Sequence, residues 1–249
     1  MAVLTEEQTL IKAQASAWVI DKAPVRSFRA LRDSKTKQGF FPETWQAMVD
    51  MGWSGILVPQ QHGGSDLGYL TCGLILEQLG RQLTASPLFA SSLVGASALL
   101  AAGNAAQQDA LLPGIASGSA IVTLALDESA QHSPRHTALQ AGQNGEDFVL
   151  NGTKTFVAEG MGATHYIVAA RVAGKPGDVQ GISLFLVAAD AAGIARTALP
   201  TIDSRDYARV TFSNVRIPAT ALLGAPGDSL PVLETILDRA CIGLAAEML

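Results

Sequence analysis

Apolar residues repeat with a helical period at both ends of the chain and with a strand period in its middle. Thr5-Glu6-Glu7-Gln8 has the form of a capping box. Ile11, Ala15 and Trp18 follow at helical spacing with Leu10 beside them, which predicts a helix to about Ile20. Residues 21 to 41 are richer in basic side chains (Lys22, Arg26, Arg29, Arg32, Lys35, Lys37) and predict a broken helix with an exposed loop, a solvated face. Phe41-Pro42-Glu43-Thr44-Trp45 opens the next helix with Pro in its first turn, and Gly52 is placed to end it. WSGILVPQQHGGSDLGY then departs from helix. Helical spacing returns from Leu67 to Leu79 (closed by Gly80), from Pro87 to Ala101 (ended by Gly103) and from Ala105 to Leu112 (ended by Pro113-Gly114).

At Ser119 the period changes. Runs of strand length follow at Ala120 to Leu126, Thr137 to Ala141, Phe148 to Leu150, Thr153 to Ala158, His165 to Ala170, Gly181 to Val187, Ile194 to Ala198 and Ala208 to Phe212. Turn chemistry separates them at Asn144-Gly145, Asn151-Gly152, Lys175-Pro176-Gly177-Asp178 and Ala192-Gly193. Asn151-Gly152 is flanked by β-formers on both sides and predicts a two-residue type I′ hairpin turn. Strands at this spacing predict an antiparallel barrel or sandwich. From Asp228 the helical period resumes and runs to the last residue, apolar on more than one side at Leu233, Ile236, Leu237, Ile242, Leu244, Ala245 and Leu249, so it expects partners. The fold class expected is α+β multidomain. An all-α domain is expected over residues 1–118, a middle antiparallel β-barrel domain over 119–226, and over 227–249 the first helix of a C-terminal helical domain, truncated there.

Composition narrows the classes. With 48% hydrophobic and 16% charged residues in 249, the chain can bury a substantial core. A net charge of −5 spread along the sequence does not build a nucleic-acid groove. No apolar run is long enough to span a bilayer, and MAVLTEEQ lacks the basic-then-apolar pattern of a signal peptide, so a cytoplasmic location is expected. Cys72 and Cys241 read as reduced core residues. The pair His132 and His136 has Pro134 between its members, which argues against the single helical face a metal site of this spacing needs.

Three strings carry a family resemblance. WSGILVPQQHGG with the later LEQLGRQL resembles the "VPEEYGG…EELGR" segment of the acyl-CoA dehydrogenase superfamily. NGTKTFV…GATHYIVAAR resembles its "NGxKxWITNG…AdxxxVxAR", and FSNVRIPATALLGAPGDSLPVLETILDRACIGLAAEML resembles "FdxVxVPxxnlLGxxGxGf…LdxeRixiAa". The resemblance runs in order over essentially the whole chain and stops after the first helix of the family's C-terminal bundle. It implies FAD as cofactor and an acyl-CoA substrate desaturated to the 2-enoyl thioester. It further implies electron-transfer flavoprotein as acceptor, a role in fatty acid breakdown, and a homotetramer or heterotetramer. A non-catalytic or flavin-poor partner subunit of a heteromeric dehydrogenase, or an oxygen-using flavoenzyme of the same fold, are the competing readings.

The resemblance also implies site residues. The family's flavin-lining "Y-x-x-TEPxAGSD" segment aligns with Leu124 to Ser133, placing Leu124, Leu126, Asp127 and Ser133 at the cofactor. Asp127 stands where the family has a Thr, and a carboxylate there would oppose formation of an anionic reduced flavin unless it is protonated or turned away. The family's W-I-T/S segment aligns with Phe156, Val157 and Ala158: Phe156 reads as a flavin-facing wall or as an ordinary core aromatic, and Ala158 lacks the hydroxyl. The family's Glu base lies in most members beyond this chain's last residue. In a minority it falls at the position of Ala240, followed here by Cys241, so no base is assigned. Cys241 is flanked by Ala240 and Ile242 and reads poorly as a nucleophile. Glu234 and Glu247 read as solvated or interface carboxylates, and Gly63-Gly64 as loop geometry near the acyl side; Asp203 and Arg205 fall where the resemblance implies contact with CoA or a neighbouring subunit, and read rather as a polar barrel loop.

Overall fold

The computed structural model describes residues 3–34, 36, 38–203 and 205–249; Lys35 and Lys37 of the basic run lie outside them. The predicted capping box forms: the Gln8 backbone N–H donates to Thr5 Oγ1 and the Thr5 N–H to Gln8 Oε1, both at 3.1 Å, opening α1 (Glu6–Lys22). Its buried stripe is Ala15 and Val19, whereas Leu10 is exposed. Helix α2 (Val25–Ser34) keeps Arg26, Arg29 and Arg32 in solvent, and α3 (Pro42–Asp50) starts on its proline.

Two predicted helix ends fall elsewhere. Gly80 does not close α4 (Gly68–Arg81); it sits inside it, because the backbone carbonyl of Glu247 passes where a side chain would be, with a Cβ only 1.8 Å from that oxygen. A π-helical stretch (Leu88–Gly95) leads into α5 (Ala96–Ala102). In α6 (Ala105–Ala116), capped by Asn104 and Gln107, Pro113 lies within the helix rather than ending it.

The middle region is one eight-stranded sheet: β1 (Val122–Ala125), β2 (Gln140–Asn144), β3 (Asp147–Ala158), β4 (His165–Arg171), β5 (Ile182–Ala188), β6 (Ile194–Leu199), β7 (Tyr207–Ile217) and β8 (Leu222–Leu223). The order is β6-β7-β3-β2-β4-β5-β8, with β1 on β4. The sheet is not closed into a barrel, and β1 and β2 meet β4 in parallel while the other pairs are antiparallel. Helix α7 (Leu230–Glu247) packs back on α4 and the π-helical stretch, burying Leu233, Ile236 and Gly243 and leaving Ile242 and Leu244 exposed, as are Met248 and Leu249 after it.

Asn151-Gly152 is not a hairpin turn. Strand β3 runs straight through it, and the β2–β3 hairpin closes one motif earlier, with Asn144 paired to Asp147 across Gly145-Glu146. At Gly152 the backbone is left-handed (φ +143°) and Leu139 packs against it so closely that a Cβ would lie 2.9 Å from the leucine. Asn151 Oδ1 accepts from the Asn214 N–H at 2.8 Å, where β7 bulges. The dipeptide therefore serves long-range pairing with β7, which no local pattern announces.

Candidate functional site

The site starts from a second irregularity in β3. Lys154 pairs with Val210 and Val157 with Ala208, so β3 carries one residue more than β7 between them. Phe156, in that bulge, takes φ +50°, and its ring is left 45% exposed although both neighbours in sequence are buried. A bulge re-aims a side chain in this way. Freed from β7, the Thr155 N–H donates to the Asp127 carbonyl at 2.7 Å, and Thr123 Oγ1 donates to the Ala158 carbonyl at 2.7 Å, so β1 and β3 are stitched together at this end.

Phe156 faces a cavity of about 350 Å³. Leu124, Leu126, Asp127 and Thr123 line it from β1 and its continuation, and Ala158 from β3. Phe89 and Val94 come from the π-helical stretch, and Leu237, Ala240, Cys241 and Leu244 from α7. Five of the residues expected at the cofactor are thus brought together: Leu124, Leu126, Asp127, Phe156 and Ala158. Val157 points into the core instead, because alternation puts it opposite its neighbours. Ser133 is not among the lining residues; its hydroxyl lies 2.6 Å from His136 Nδ1. Ala240 does line the cavity and brings no carboxylate. Cys241 lines it too and is exposed, so it is not the core residue the sequence suggested; Cys72 is, with burial pushing its thiol up to about 12.

Two adjacent carboxylates serve different ends. Asp127 is neither bare nor simply solvated: His132 Nδ1 lies 3.0 and 3.1 Å from its two oxygens, and His132 also lines the cavity. Glu128 turns inward. It accepts from the backbone N–H groups of Ala138 and Leu139 at 2.9 Å and from Lys154 Nζ at 2.6 Å, and Lys154 also donates to the Leu126 carbonyl at 2.8 Å. Lys154 has no exposed surface, and desolvation draws its ammonium down to about 8 against the pull of Glu128. This cluster fixes the β1 end on which Leu126 and Asp127 stand.

A third group escaped sequence reasoning. Glu159 follows the bulge with φ +53°, is buried, and its Oε2 has no partner among the described residues. Burial, then the neighbouring Asp206 carboxylate, pushes its carboxyl well above the usual range. Burial likewise lifts Asp206 to about 6, although it accepts from the Met161 and Gly162 N–H groups. Arg205 pairs with Glu247 at the end of α7, so neither is a free loop or surface group; Glu247 Oε2 is also unpartnered. Glu234, by contrast, is exposed and pairs with Arg135 at 3.1 Å. The only local signal for this group is the Glu where the resembling motif has a neutral residue.

The lining fits the faces of a planar conjugated ring. The walls are mostly aliphatic or aromatic, Tyr207 stands edge-on to Phe156 with ring centroids 6.5 Å apart, and the volume falls within the range of ligand pockets. Asp127, the one carboxylate in the wall, is partnered by His132. Among the described residues no helix is long and apolar enough to cross a membrane, and no group of three or more His, Cys, Asp or Glu side chains is placed to hold a metal ion.

Residues 5–119 match the family "Acyl-CoA dehydrogenase, N-terminal domain" and residues 128–215 match "Acyl-CoA dehydrogenase, middle domain". The chain is 29% identical to the acryloyl-CoA reductase (NADH) of Anaerotignum propionicum over 98% of its own length and 62% of that protein's. It is 29% identical to the mitochondrial isovaleryl-CoA dehydrogenase of Pongo abelii, over 97% and 58%. It thus spans about three fifths of these relatives. Among solved structures, the ChsE4-ChsE5 complex from Mycobacterium tuberculosis superposes with a TM-score of 0.85 at 27% identity, over 99% of this chain and 64% of the other. With both domain signatures in order on the fold described, the chain belongs to the acyl-CoA dehydrogenase family.

Proposed function

We propose that this chain builds the acyl- and flavin-binding cavity of an FAD-dependent acyl-CoA dehydrogenase that desaturates an acyl-CoA to its 2-enoyl thioester. The observation that carries this reading is one cavity walled by the bulged Phe156 on the sheet and by α7 and the π-helical stretch opposite. Leu124, Leu126, Phe156 and Ala158 would hold the ring, which when bound supplies the acceptor for the β-hydrogen. The chain's own residues position and desolvate. Apolar side chains on both sides would exclude water from an acyl chain, and the Lys154–Glu128 cluster ties down the end of β1 that carries Leu126 and Asp127. Electron-transfer flavoprotein as acceptor, and a tetrameric assembly, belong to the same reading. The test is spectroscopic. Loaded with FAD, the protein is expected to lose its visible flavin absorbance when an acyl-CoA is added anaerobically. An unchanged spectrum with acyl-CoA bound would contradict the assignment.

A second reading has a specific observation behind it. Asp127, Ala158 and Ala240 together leave the cavity with an added charge, a missing hydroxyl and no carboxylate from the α7 residues that line it. This suits a partner subunit of a heteromeric dehydrogenase, as does likeness to a protein solved as a two-component complex. A chain that is colourless alone and gains flavin only with a partner favours this second reading.

A further inference from the structure

Asp127 is the one carboxylate among the described residues that line the cavity, and no lysine or arginine lines it. An aspartate at this position could turn away; here it stands in the wall with its side chain 25% exposed. The cation behind the wall, Lys154, is paired with Glu128 at 2.6 Å, and its charge is matched there. His132 Nδ1 lies 3.0 and 3.1 Å from the two Asp127 oxygens. A carboxylate only accepts, so the imidazole donates, and with the imidazole neutral the pair keeps one negative charge. Tyr207, also in the wall, adds no charge near neutral pH, because burial pushes its phenol up. The cavity is thus largely apolar with a single carboxylate on its β1 side.

We propose that Asp127 sets the redox balance of this cavity and biases it toward the saturated thioester. This rests on the FAD and acyl-CoA reading above. In that half-reaction the acyl thioester loses its β-hydrogen as hydride to the ring and its α-hydrogen as a proton to solvent, which leaves the 2-enoyl thioester. A hydride brings two electrons with one proton, so the ring gains one negative charge. A group seated in a cavity of about 350 Å³ lies within about a Debye length of Asp127. Two like charges at that range disfavour the state in which both are present. Asp127 therefore opposes hydride uptake by the ring. It favours return of the hydride to the β-carbon of the enoyl thioester, with a proton from solvent added at the α-carbon. The bias expected is about tenfold, the low end of what one charge does to a neighbour's ionisation, because a quarter-exposed side chain is partly screened. Sign and distance carry the effect, and no hydrogen bond to the ring is required.

The experiment measures the midpoint potential of the whole chain loaded with FAD, against a reference dye, at about pH 8, where imidazole is ordinarily uncharged. Bleaching by an acyl-CoA is followed in parallel. D127N, which removes the charge and keeps the shape, is expected to raise the potential by about 30 mV, tenfold for a two-electron couple. It should also bleach at about a tenfold lower ratio of acyl-CoA to enoyl-CoA than wild type. D127E keeps the charge and should stay close to wild type, a pattern that a merely structural carboxylate would not give. The difference between wild type and D127N should shrink as salt is added, since salt screens a partly exposed charge. Equal potentials in wild type and D127N, or a rise in D127E as large as in D127N, overturns the proposal while leaving the acyl-CoA reading intact. A chain that takes up no FAD, or that no acyl-CoA bleaches in any variant, overturns that reading and the proposal with it. If D127N fails to fold, D127T decides in its place, with the same rise expected and an unchanged potential overturning the assignment.

Discussion

A buried ionisable side chain stands on each side of the β3 bulge, Lys154 within the strand and Glu159 just past its end, and the two are treated in opposite ways. Lys154 donates to a carboxylate and a carbonyl, and that carboxylate, Glu128, also takes two backbone N–H groups. Glu159, five residues on, shares its surroundings with Asp206, Asp203 and Glu247 and with the cation Arg205, and among the described residues both it and Glu247 keep an oxygen without a partner. The first cluster joins strands within the sheet; the second sits where α7 ends on the sheet. Buried polar groups hold a structure when every member is satisfied, and leave it sensitive to conditions when some are not. The lesson is that the cavity rests on one rigid wall and one conditional wall, the latter being α7.

The largest expected effect breaks the rigid side. Glu128→Ala would leave Lys154 buried without a counter-charge and two backbone N–H groups unpaired, and is expected to cost about 3–5 kcal/mol in urea denaturation. K154M combined with E128L should recover much of that loss, since well-packed apolar pairs replace buried ion pairs at little net cost.

Smaller effects are expected on the conditional side. Gly80→Ala places a methyl against the Glu247 backbone and should cost about 1–3 kcal/mol, with faster hydrogen exchange in α7 than in the sheet. For pH the sign is fixed by the direction of the shift. Glu159 binds its proton more tightly folded than unfolded, so between the ordinary carboxyl value near 4.5 and the raised folded value the folded state carries more protons. Its contribution to stability is therefore full below that window and is lost as pH rises through it. Asp206 adds a similar fall as pH rises from 3.8 to about 6. Glu159→Gln should flatten the upper part of this profile, measured as thermal midpoints at several pH values. The smallest effect is expected at Arg135→Ala, whose pair with Glu234 is about half exposed on both sides: under ~1 kcal/mol.

Local chemistry made much of the fold legible. The Thr5–Gln8 box, Pro42 at a helix start and the apolar runs of β4 and β5 each contain their own reason. What was hidden depends on distant partners. Gly80 looks like a helix stop until Glu247 is laid over it, and Asn151-Gly152 looks like a turn until β7, some sixty residues later, is paired beside it. In the site, Phe156 and Asp127 could be picked out by alignment with a motif. The bulge that turns Phe156 outward, and the loop that returns His132 to Asp127, have no periodic signature. Glu159 and Glu247 are far apart in sequence and become one group only when α7 docks.

The central claim is that the space between Phe156 and α7 holds the acyl thioester. Calorimetric titration of an acyl-CoA into the wild-type chain and into Ala240→Trp, which fills that space from α7 without touching the sheet, tests it most directly. The account predicts that the tryptophan weakens binding by at least about tenfold, roughly 1.4 kcal/mol, while the thermal midpoint changes little. Equal affinity in the two proteins would show that the acyl group binds elsewhere.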